Sequence, residues 1–171
     1  MLLKLTNVDF NDLQSYESDI ILNKKLTNVS TSNMYEILFD CDNFDKIFNI
    51  VLDAIKKETN DNLDVYVKNM WGYLQDDINF SKIQFDKNFK SQVSVPSKYS
   101  FIFGIKSFNT NFYLKSADGV VEKIIVNDGD ILIFDTHTFT NDESDNQNRI
   151  FLIGSILPVE EDMYIIKKGI I

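Results

Sequence analysis

Short apolar segments alternate with turn residues through the second half of this chain, and their regular spacing constrains the fold more than any other feature. The clearest segment is YSFIFGIK at 99–106, and Asp118-Gly119 and Asp128-Gly129 mark turns between segments. The other strands predicted in this half span residues 111–115, 120–126, 130–134, 150–157 and 163–167. A series of short strands at such spacing is typical of sandwiches, jelly rolls and barrels.

The first part of the chain contains its best predicted helix, directly after Cys41. Apolar side chains recur there with the spacing that places them on one face of a helix. They are Phe44, Ile47, Phe48, Val51, Ala54 and Ile55. Lys56 and Lys57 fall in the last turn, where the helix dipole favours cations. We expect this aromatic face to pack on a sheet.

Further elements are predicted with less regular patterns. Strands are predicted at 1–8, 34–39, 63–68, 80–89 and 91–95, and a helical turn is predicted at 11–16. Strands that outnumber helices, in separate runs, indicate an α+β protein in which helices cover one side of a sheet.

The charge balance excludes one class of function. A formal net charge of −9 leaves no basic surface of the kind that nucleic-acid binding requires. No apolar run reaches the roughly 18–20 residues of a membrane-spanning helix. The first residues, MLLKLTNVDF, become polar too early for a signal peptide. We therefore expect no nucleic-acid partner, no membrane association and a cytoplasmic location.

Cysteine and arginine are each present once, as Cys41 and Arg149. A single cysteine allows neither a disulfide within the chain nor a cysteine-based zinc site. The preference for lysine over arginine, with abundant asparagine, is what an AT-rich genome produces. Phages and large viruses share this bias, so the host cytoplasm or a virus particle is an expected location.

Three stretches resemble the core of the 2-oxoglutarate/Fe(II)-dependent oxygenases, a cupin-type double-stranded β-helix. The first is VNDGDILIFDTHTFT at 126–140, and the second is RIFLIGSI at 149–156. The third is KNMWGYLQ at 68–75, followed after a gap by YSFIFGIK. The resemblance covers about residues 65–157, and a chain with one histidine would be a degenerate member of that family.

The resemblance completes the predicted architecture. It implies an α+β, mainly β fold with a double-stranded β-helix, or jelly-roll, core and one or two N-terminal helices packed on a sheet. We predict a single domain over 1–171. Within it, 1–62 form an N-terminal strand and helix region, 63–157 the jelly-roll core, and 158–171 a C-terminal strand.

The resemblance also assigns residues to a co-substrate site and a metal site. Arg149 matches the arginine that holds a carboxylate of 2-oxoglutarate, and Tyr99 is assigned beside it as a second co-substrate residue. The family binds iron through H-x-D/E and a later histidine. Here Gln84 stands in place of the first histidine and Thr140 in place of the second. One histidine cannot supply two imidazole ligands.

Other side chains in the sequence offer metal donors, and His137 and Arg149 also have interpretations that involve no metal or co-substrate. Asp86, Asp135 and His137 form the alternative ligand set, since alternate residues of a strand point to one side. His137 also fits a solvated loop, because DTHTFTNDESDNQN at 135–148 is rich in turn-forming residues. Arg149 can equally form an ion pair with an acid in the preceding segment. Those acids are Asp142, Glu143 and Asp145.

These observations lead to three hypotheses about function, and no catalytic residue is assigned. The first is a non-catalytic jelly-roll protein that needs no cofactor and serves in binding or assembly, as a structural protein of a phage or virus, with a protein partner or as a homo-oligomer. The second is an active dioxygenase that uses Fe(II) and 2-oxoglutarate at an atypical metal site. The third is a sugar- or small-ligand-binding protein with Trp71, Tyr73 and Tyr99 in a cleft.

Overall fold

A computed structural model shows a mainly β protein with helices on one side. It describes residues 1–27, 34–36, 42–61, 63, 66–75, 98–116, 118–135, 138–141 and 148–158. The strands are β1 Leu2–Leu5, β2 Met34–Glu36, β3 Tyr66–Gln75, β4 Tyr99–Lys106, β5 Thr110–Lys115, β6 Val121–Val126, β7 Ile131–Asp135, β8 Thr138–Asn141 and β9 Arg149–Pro158. The helices are α1 Leu13–Thr27, which follows a 3-10 turn at Phe10–Asp12, and α2 Asp42–Glu58. The strands predicted at 80–89, 91–95 and 163–167, and Cys41, lie outside the described residues.

The described strands form two antiparallel sheets. The large sheet has the order β1-β7-β4-β9-β3-β2, and the small sheet has the order β6-β5-β8. From β4 onward the chain passes repeatedly between them: β5 and β6 belong to the small sheet, β7 to the large, β8 to the small and β9 to the large. The predicted α+β, mainly β class is therefore confirmed. No helix among the described residues is both long enough and apolar enough to cross a membrane.

The large sheet buries side chains on both of its faces. The layer against the helices, called here the helix-side core, includes Tyr16, Ile20, Phe44, Phe48, Phe101, Phe103, Ile131, Ile133, Ile150, Leu152 and Ile156. The layer against the small sheet, called the inter-sheet core, contains Ile102, Phe112, Leu114, Val126, Leu132, Phe134, Phe151 and Ile153. Successive residues of β4, β7 and β9 thus alternate between the two cores, as the pleat of a strand requires.

Helix α2 forms where the sequence predicts it. Its first turn carries Asp42 and Asp45 and its last turn carries Lys56 and Lys57, which is the charge order that the helix dipole favours. Its buried residues are Phe44, Ile47, Phe48, Val51, Leu52 and Ile55. This apolar face packs on the large sheet, where the Phe48 ring meets Phe101 edge to face at 6.1 Å between centroids.

Helix α1 corrects the sequence prediction, which expected only a helical turn at 11–16. The helix runs for fifteen residues, from Leu13 to Thr27. Periodicity does not reveal it because Ile21 and Leu22 are exposed whereas Asn23 is buried. The Asn23 amide donates to the backbone carbonyl of Asp19 one turn earlier, which satisfies part of its hydrogen-bonding capacity.

The two predicted glycine turns form as expected, whereas the short strand β8 was not predicted. Gly119 and Gly129 have φ values of 88° and 81°, so both predicted turns use glycine in the left-handed region. The segment predicted as a loop at 135–148 contains β8, which pairs with β5 from Phe112↔Asn141 to Lys115↔Thr138. Its polar sequence hid the strand, because partners distant in sequence decide whether such a segment pairs.

Candidate functional site

Arg149 is the first residue of β9 and lies at an end of the large sheet. Its side chain is 6% exposed, and its register partner on β3 is Gln75. Phe151 and Ile153 belong to the inter-sheet core, so strand alternation places Arg149 on that same side of β9. A buried guanidinium requires anionic or hydrogen-bonding partners, and Arg149 does interact with other groups of the chain. Arg149 is therefore a buried cation that has interaction partners within the chain.

Asp135 ends β7 and is engaged by the start of the chain. Its Oδ1 accepts from the backbone nitrogen of Met1 at 2.7 Å, and its own amide donates to the Met1 carbonyl at 3.3 Å. Ile131 and Ile133 belong to the helix-side core, and alternation puts Asp135 on their side of the strand. Asp135 and Arg149 therefore lie on opposite faces of the sheet. The other two proposed metal ligands, Asp86 and His137, lie outside the described residues.

Tyr99, the second residue assigned to the co-substrate, also lies on the helix side. It is buried in the core that contains Phe101, and its hydroxyl donates to the Asp61 carboxylate just beyond α2. Lys98 approaches the same carboxylate at 2.7 Å. Desolvation and the hydrogen bond to Asp61 raise the pKa of the Tyr99 phenol. The structure therefore does not bring Tyr99 and Arg149 together, and Tyr99 links α2 to β4.

The contacts of Lys98 and Tyr99 with the Asp61 carboxylate predict that the protein loses stability in acid. The hydrogen bond from Lys98, and next that from Tyr99, lower the pKa of the Asp61 carboxyl. Because the folded-state pKa of Asp61 is depressed, the ionised carboxylate stabilises the fold fully above the unfolded-state pKa of about 3.9. This stabilisation is lost as the pH falls through the folded-state pKa. Because Asp61 is partly exposed, we expect Asp61→Asn to cost only about 0.5–1 kcal/mol at neutral pH.

Urea unfolding of the wild type and Asp61→Asn between neutral pH and pH 2 measures this contribution. The difference between the two proteins should shrink as the pH falls below about 4. Asp53→Asn, at an exposed position of α2, is the matched control and should change neither stability nor its slope with pH. A constant Asp61→Asn effect across the whole range would contradict the assignment.

Two serines that the sequence analysis missed face the gap between the sheets. Ser155 is buried on β9 and pairs across the ladder with Ser100 of β4. Alternation places them on the sides of Ile153 and Ile102, both of which belong to the inter-sheet core. Each hydroxyl can donate and accept hydrogen bonds. The available sequence signal was a polar residue at an inward position of an otherwise apolar strand.

The sequence lacks one of the two histidines that the oxygenase iron site requires. Within the ranges that the structure describes, no group of three His, Cys, Asp or Glu side chains is close enough to hold a metal ion. The whole sequence contains one histidine. The two-histidine, one-carboxylate iron site that the oxygenase resemblance implies therefore does not fit these residues. Arg149, which the resemblance matches to the carboxylate-holding arginine, is buried where β9 begins.

Known structures share this arrangement of helices and sheets at low sequence identity. A truncated form of the viral collagen prolyl hydroxylase from Paramecium bursaria Chlorella virus-1 matches with a TM-score of 0.64 and 10% identity, over 93% of this chain and 90% of that one. A prolyl-4-hydroxylase from Pseudomonas putida matches with a TM-score of 0.59 and 11% identity, over 93% of each chain. The 2-oxoglutarate complex of the viral enzyme matches with a TM-score of 0.61 and 11% identity, over 93% of this chain and 96% of that one.

These matches show that the chain adopts the 2-oxoglutarate/Fe(II) oxygenase fold of prolyl hydroxylases, and they confirm the resemblance at the level of the fold. No protein-family model matches the sequence, and no curated protein does. At about one identical residue in ten, the likeness carries the architecture alone.

Proposed function

We propose that this chain is a non-catalytic protein of the oxygenase-like double-stranded β-helix fold, which binds a carboxylate-bearing molecule at Arg149 and serves in binding or assembly. The proposal rests on a difference between the two parts of the site that the oxygenase resemblance implies, the carboxylate-binding arginine and the pair of iron-binding histidines. The buried arginine is present at the start of β9, whereas the whole sequence contains one histidine and the iron site needs two.

The strand order supports the double-stranded β-helix. The central run β7-β4-β9-β3 in the large sheet faces the run β6-β5-β8, and the chain between β4 and β9 crosses repeatedly from one sheet to the other. In such folds ligands bind between the two sheets, at the side where inward-facing residues of several strands converge. Arg149, Ser100 and Ser155 are polar residues, among those that the structure describes, that strand alternation directs inward.

A role in assembly is supported by exposed apolar residues at an edge of the small sheet. Val120, Val121 and Ile125 are each about half exposed, and the last two belong to β6, which ends the sheet order. Exposed aliphatic groups on an edge strand are a common feature of surfaces that receive a partner chain. A protein partner or a second copy of the chain is therefore part of the proposal.

An active oxygenase is the second candidate, because one of the matching structures is a 2-oxoglutarate complex of a hydroxylase. Its atypical ligand set would be Asp86, His137 and Asp135. The Asp135 carboxylate already accepts a hydrogen bond from the Met1 nitrogen, and this contact competes with that role.

The carboxylate-binding role predicts that metal-free protein binds 2-oxoglutarate through Arg149. Isothermal titration in the presence of a chelator should give binding to the wild type, weakened at least tenfold in Arg149→Gln. Removing a buried charged hydrogen-bonding partner costs roughly 2–5 kcal/mol, and about 1.4 kcal/mol corresponds to tenfold. Arg149→Lys should lose affinity too, because an ammonium cannot reproduce a bidentate guanidinium contact.

Circular dichroism and thermal unfolding of both variants control for loss of fold, since Arg149 is buried. Lys115→Gln, which removes an exposed cation from β5, is the matched control and should bind like the wild type. Equal affinity in the wild type and a folded Arg149→Gln variant would contradict the assignment, as would a wild-type protein that binds no 2-oxoglutarate.

A further inference from the structure

Strand β6 ends the small sheet, and one side of its backbone is an open edge. Among the strands that the structure describes, only β5 pairs with it. Just before the strand begins, the amide of Ser116 donates to the Val120 carbonyl at 3.0 Å. Residues of an antiparallel strand face their partner alternately, so Glu122 directs its backbone groups to β5, whereas Val121 and Lys123 direct theirs to the open edge.

Lys4 covers one end of this open edge. Its ammonium, which comes from β1 at an edge of the large sheet, donates to the Ile125 carbonyl at 2.7 Å and pairs with Asp130. This contact agrees with the alternation, because it requires that the Ile125 carbonyl face away from β5. Within the described residues, the backbone positions left open are therefore those of Val121 and Lys123, in the other half of β6.

The side chains along this edge combine aliphatic groups with a cation. Phe112 and Leu114 of β5 point into the inter-sheet core. Val121, Lys123 and Ile125 pair with residues that alternate with those two, so they lie on the outer face of the small sheet. Val121 and Ile125 are 49% and 48% exposed, and Lys123 is exposed between them. A strand added here would meet an apolar, a cationic and an apolar position in turn.

The neighbouring strand extends the positive charge of the outer face. Lys115 and Tyr113 of β5 lie on this face, and Tyr113 is the register partner of Lys123. Neither β5 nor β6 places an acid there, because Glu122 alternates to the inner side. In a chain with a net charge of −9, a face with two lysines and no acid from its own strands favours an acidic partner.

A second copy of the same strand fits this edge poorly. Two antiparallel copies centred on Lys123 would place two ammonium groups opposite each other, and copies centred on Glu122 would do the same with two carboxylates. Copies centred on Ile124 would need the Ile125 carbonyl, which already accepts from Lys4. An acidic residue opposite Lys123 instead forms a favourable cross-strand pair, so charge complementarity favours a different chain.

We propose that β6 receives an extended segment of a partner protein as a further antiparallel strand. The segment carries an acidic residue opposite Lys123 and β-branched residues opposite Val121 and Ile125. Backbone groups of Val121 and Lys123 supply the hydrogen bonds, and the side-chain pairs select the partner. This inference rests on the role in binding or assembly proposed above, and it names the chemistry of the partner.

The blocked hexapeptide VTETVT presents this pattern, with its glutamate between two valines on one face of the strand. Titration of the isotope-labelled full chain, followed by amide chemical shifts, should show binding at millimolar concentrations, with the largest shifts in β6. The peptide VTKTVT, in which lysine replaces the glutamate, should bind at least fivefold more weakly. Absence of VTETVT binding, equal binding of the two peptides, or shifts centred outside β6 would each overturn the proposal.

A charge exchange tests the pairing with Lys123 directly. Lys123→Glu should weaken VTETVT binding at least fivefold, and it should bind VTKTVT as tightly as the wild type binds VTETVT. Lys57→Glu, at an exposed position of α2, changes the net charge equally and is the matched control, with no expected effect on either peptide. A Lys123→Glu variant that keeps the peptide preference of the wild type would refute the proposal.

Val121→Pro tests the backbone hydrogen bonds. The Val121 amide faces away from β5, so proline at this first residue of an edge strand removes no hydrogen bond of the described sheet. Binding of VTETVT should fall at least fivefold in Val121→Pro. It should stay within twofold of the wild type in Val121→Thr, which keeps the amide and the shape of the side chain. Unchanged binding in Val121→Pro would mean that no strand is added at this edge.

Two further readouts distinguish failure of this inference from failure of the Arg149 assignment. Sedimentation velocity should give a monomer, and a dimer that Val121→Pro dissociates would identify a second copy as the occupant and overturn the proposal. Binding of 2-oxoglutarate should be the same in Val121→Pro and Lys123→Glu as in the wild type. Failure of the peptide tests with 2-oxoglutarate binding intact therefore counts against this inference alone, and the reverse result counts against the Arg149 assignment alone.

Discussion

Gly154→Ala is expected to destabilise the protein by about 3 kcal/mol, at the upper end of what overpacking a core costs. Gly154 lies on β9 directly opposite Phe101 of β4. A Cβ atom at this position would stand 2.2 Å from one ring carbon of Phe101 and 2.4 Å from another. Phe101 is fully buried and packs edge to face on Phe48, so its ring cannot withdraw without disturbing α2.

Urea unfolding measures the loss, and a double-mutant cycle identifies its cause. Phe101→Leu shortens the side chain that the new methyl group would meet, so the pair should be less destabilised than the sum of the single variants by at least roughly 1 kcal/mol. Gly119→Ala is the control, because a Cβ there meets nothing within 4 Å and only backbone strain remains. Additive effects in the cycle would contradict the predicted contact.

Asp130→Ala is expected to cost about 3 kcal/mol, because it removes the acceptor from a buried charged cluster. Asp130 precedes β7 and is almost fully buried. Its Oδ2 lies 2.8 Å from the Lys4 ammonium of β1, and it accepts from the backbone and the side-chain nitrogens of Asn127 at 2.9 Å each. The substitution leaves these donors without their acceptor and weakens the join between β1, the turn and β7.

Lys4→Met separates the contribution of the Lys4–Asp130 ion pair from that of the hydrogen bonds that Asn127 donates to Asp130. Lys4 is partly exposed and also donates to the Ile125 carbonyl, and its loss leaves Asp130 with both hydrogen bonds from Asn127. We expect Lys4→Met to cost less than Asp130→Ala, at about 1–2 kcal/mol, in the same urea experiment. A smaller loss for Asp130→Ala than for Lys4→Met would show that Asp130 is not the residue on which this cluster depends.

Local periodicity predicts some elements well and fails at others for physical reasons. Helix α2 and strand β4 are predictable because a single buried face, or a fully buried strand, controls their sequence. Helix α1 is not, because Asn23 is buried and Ile21 and Leu22 are exposed, which reverses the usual pattern. Strand β8 depends on pairing with β5, and nothing in its own four residues indicates that partner.

The candidate site likewise contains some features that the sequence predicts and others that it does not. The position of Arg149 follows from the resemblance, and its side of β9 follows from alternation with Phe151 once the inter-sheet core is known. Tyr99 alternates with Phe101 toward the helices, and this cannot be read until the location of α2 is known. The contact between Asp135 and Met1 joins residues 134 positions apart, and no local pattern indicates it.

In the function proposed above, the oxygenase-like fold holds a carboxylate but lacks the two histidines of an iron centre. Anaerobic titration with Fe(II) in the presence of 2-oxoglutarate tests it, because 2-oxoglutarate bound to iron gives a metal-to-ligand charge-transfer band in the visible spectrum. The Pseudomonas putida prolyl-4-hydroxylase, measured in parallel, is the comparison. We predict no such band for this chain at any Fe(II) concentration. A band that appears in the wild type and disappears in His137→Ala would contradict the claim and establish the oxygenase alternative.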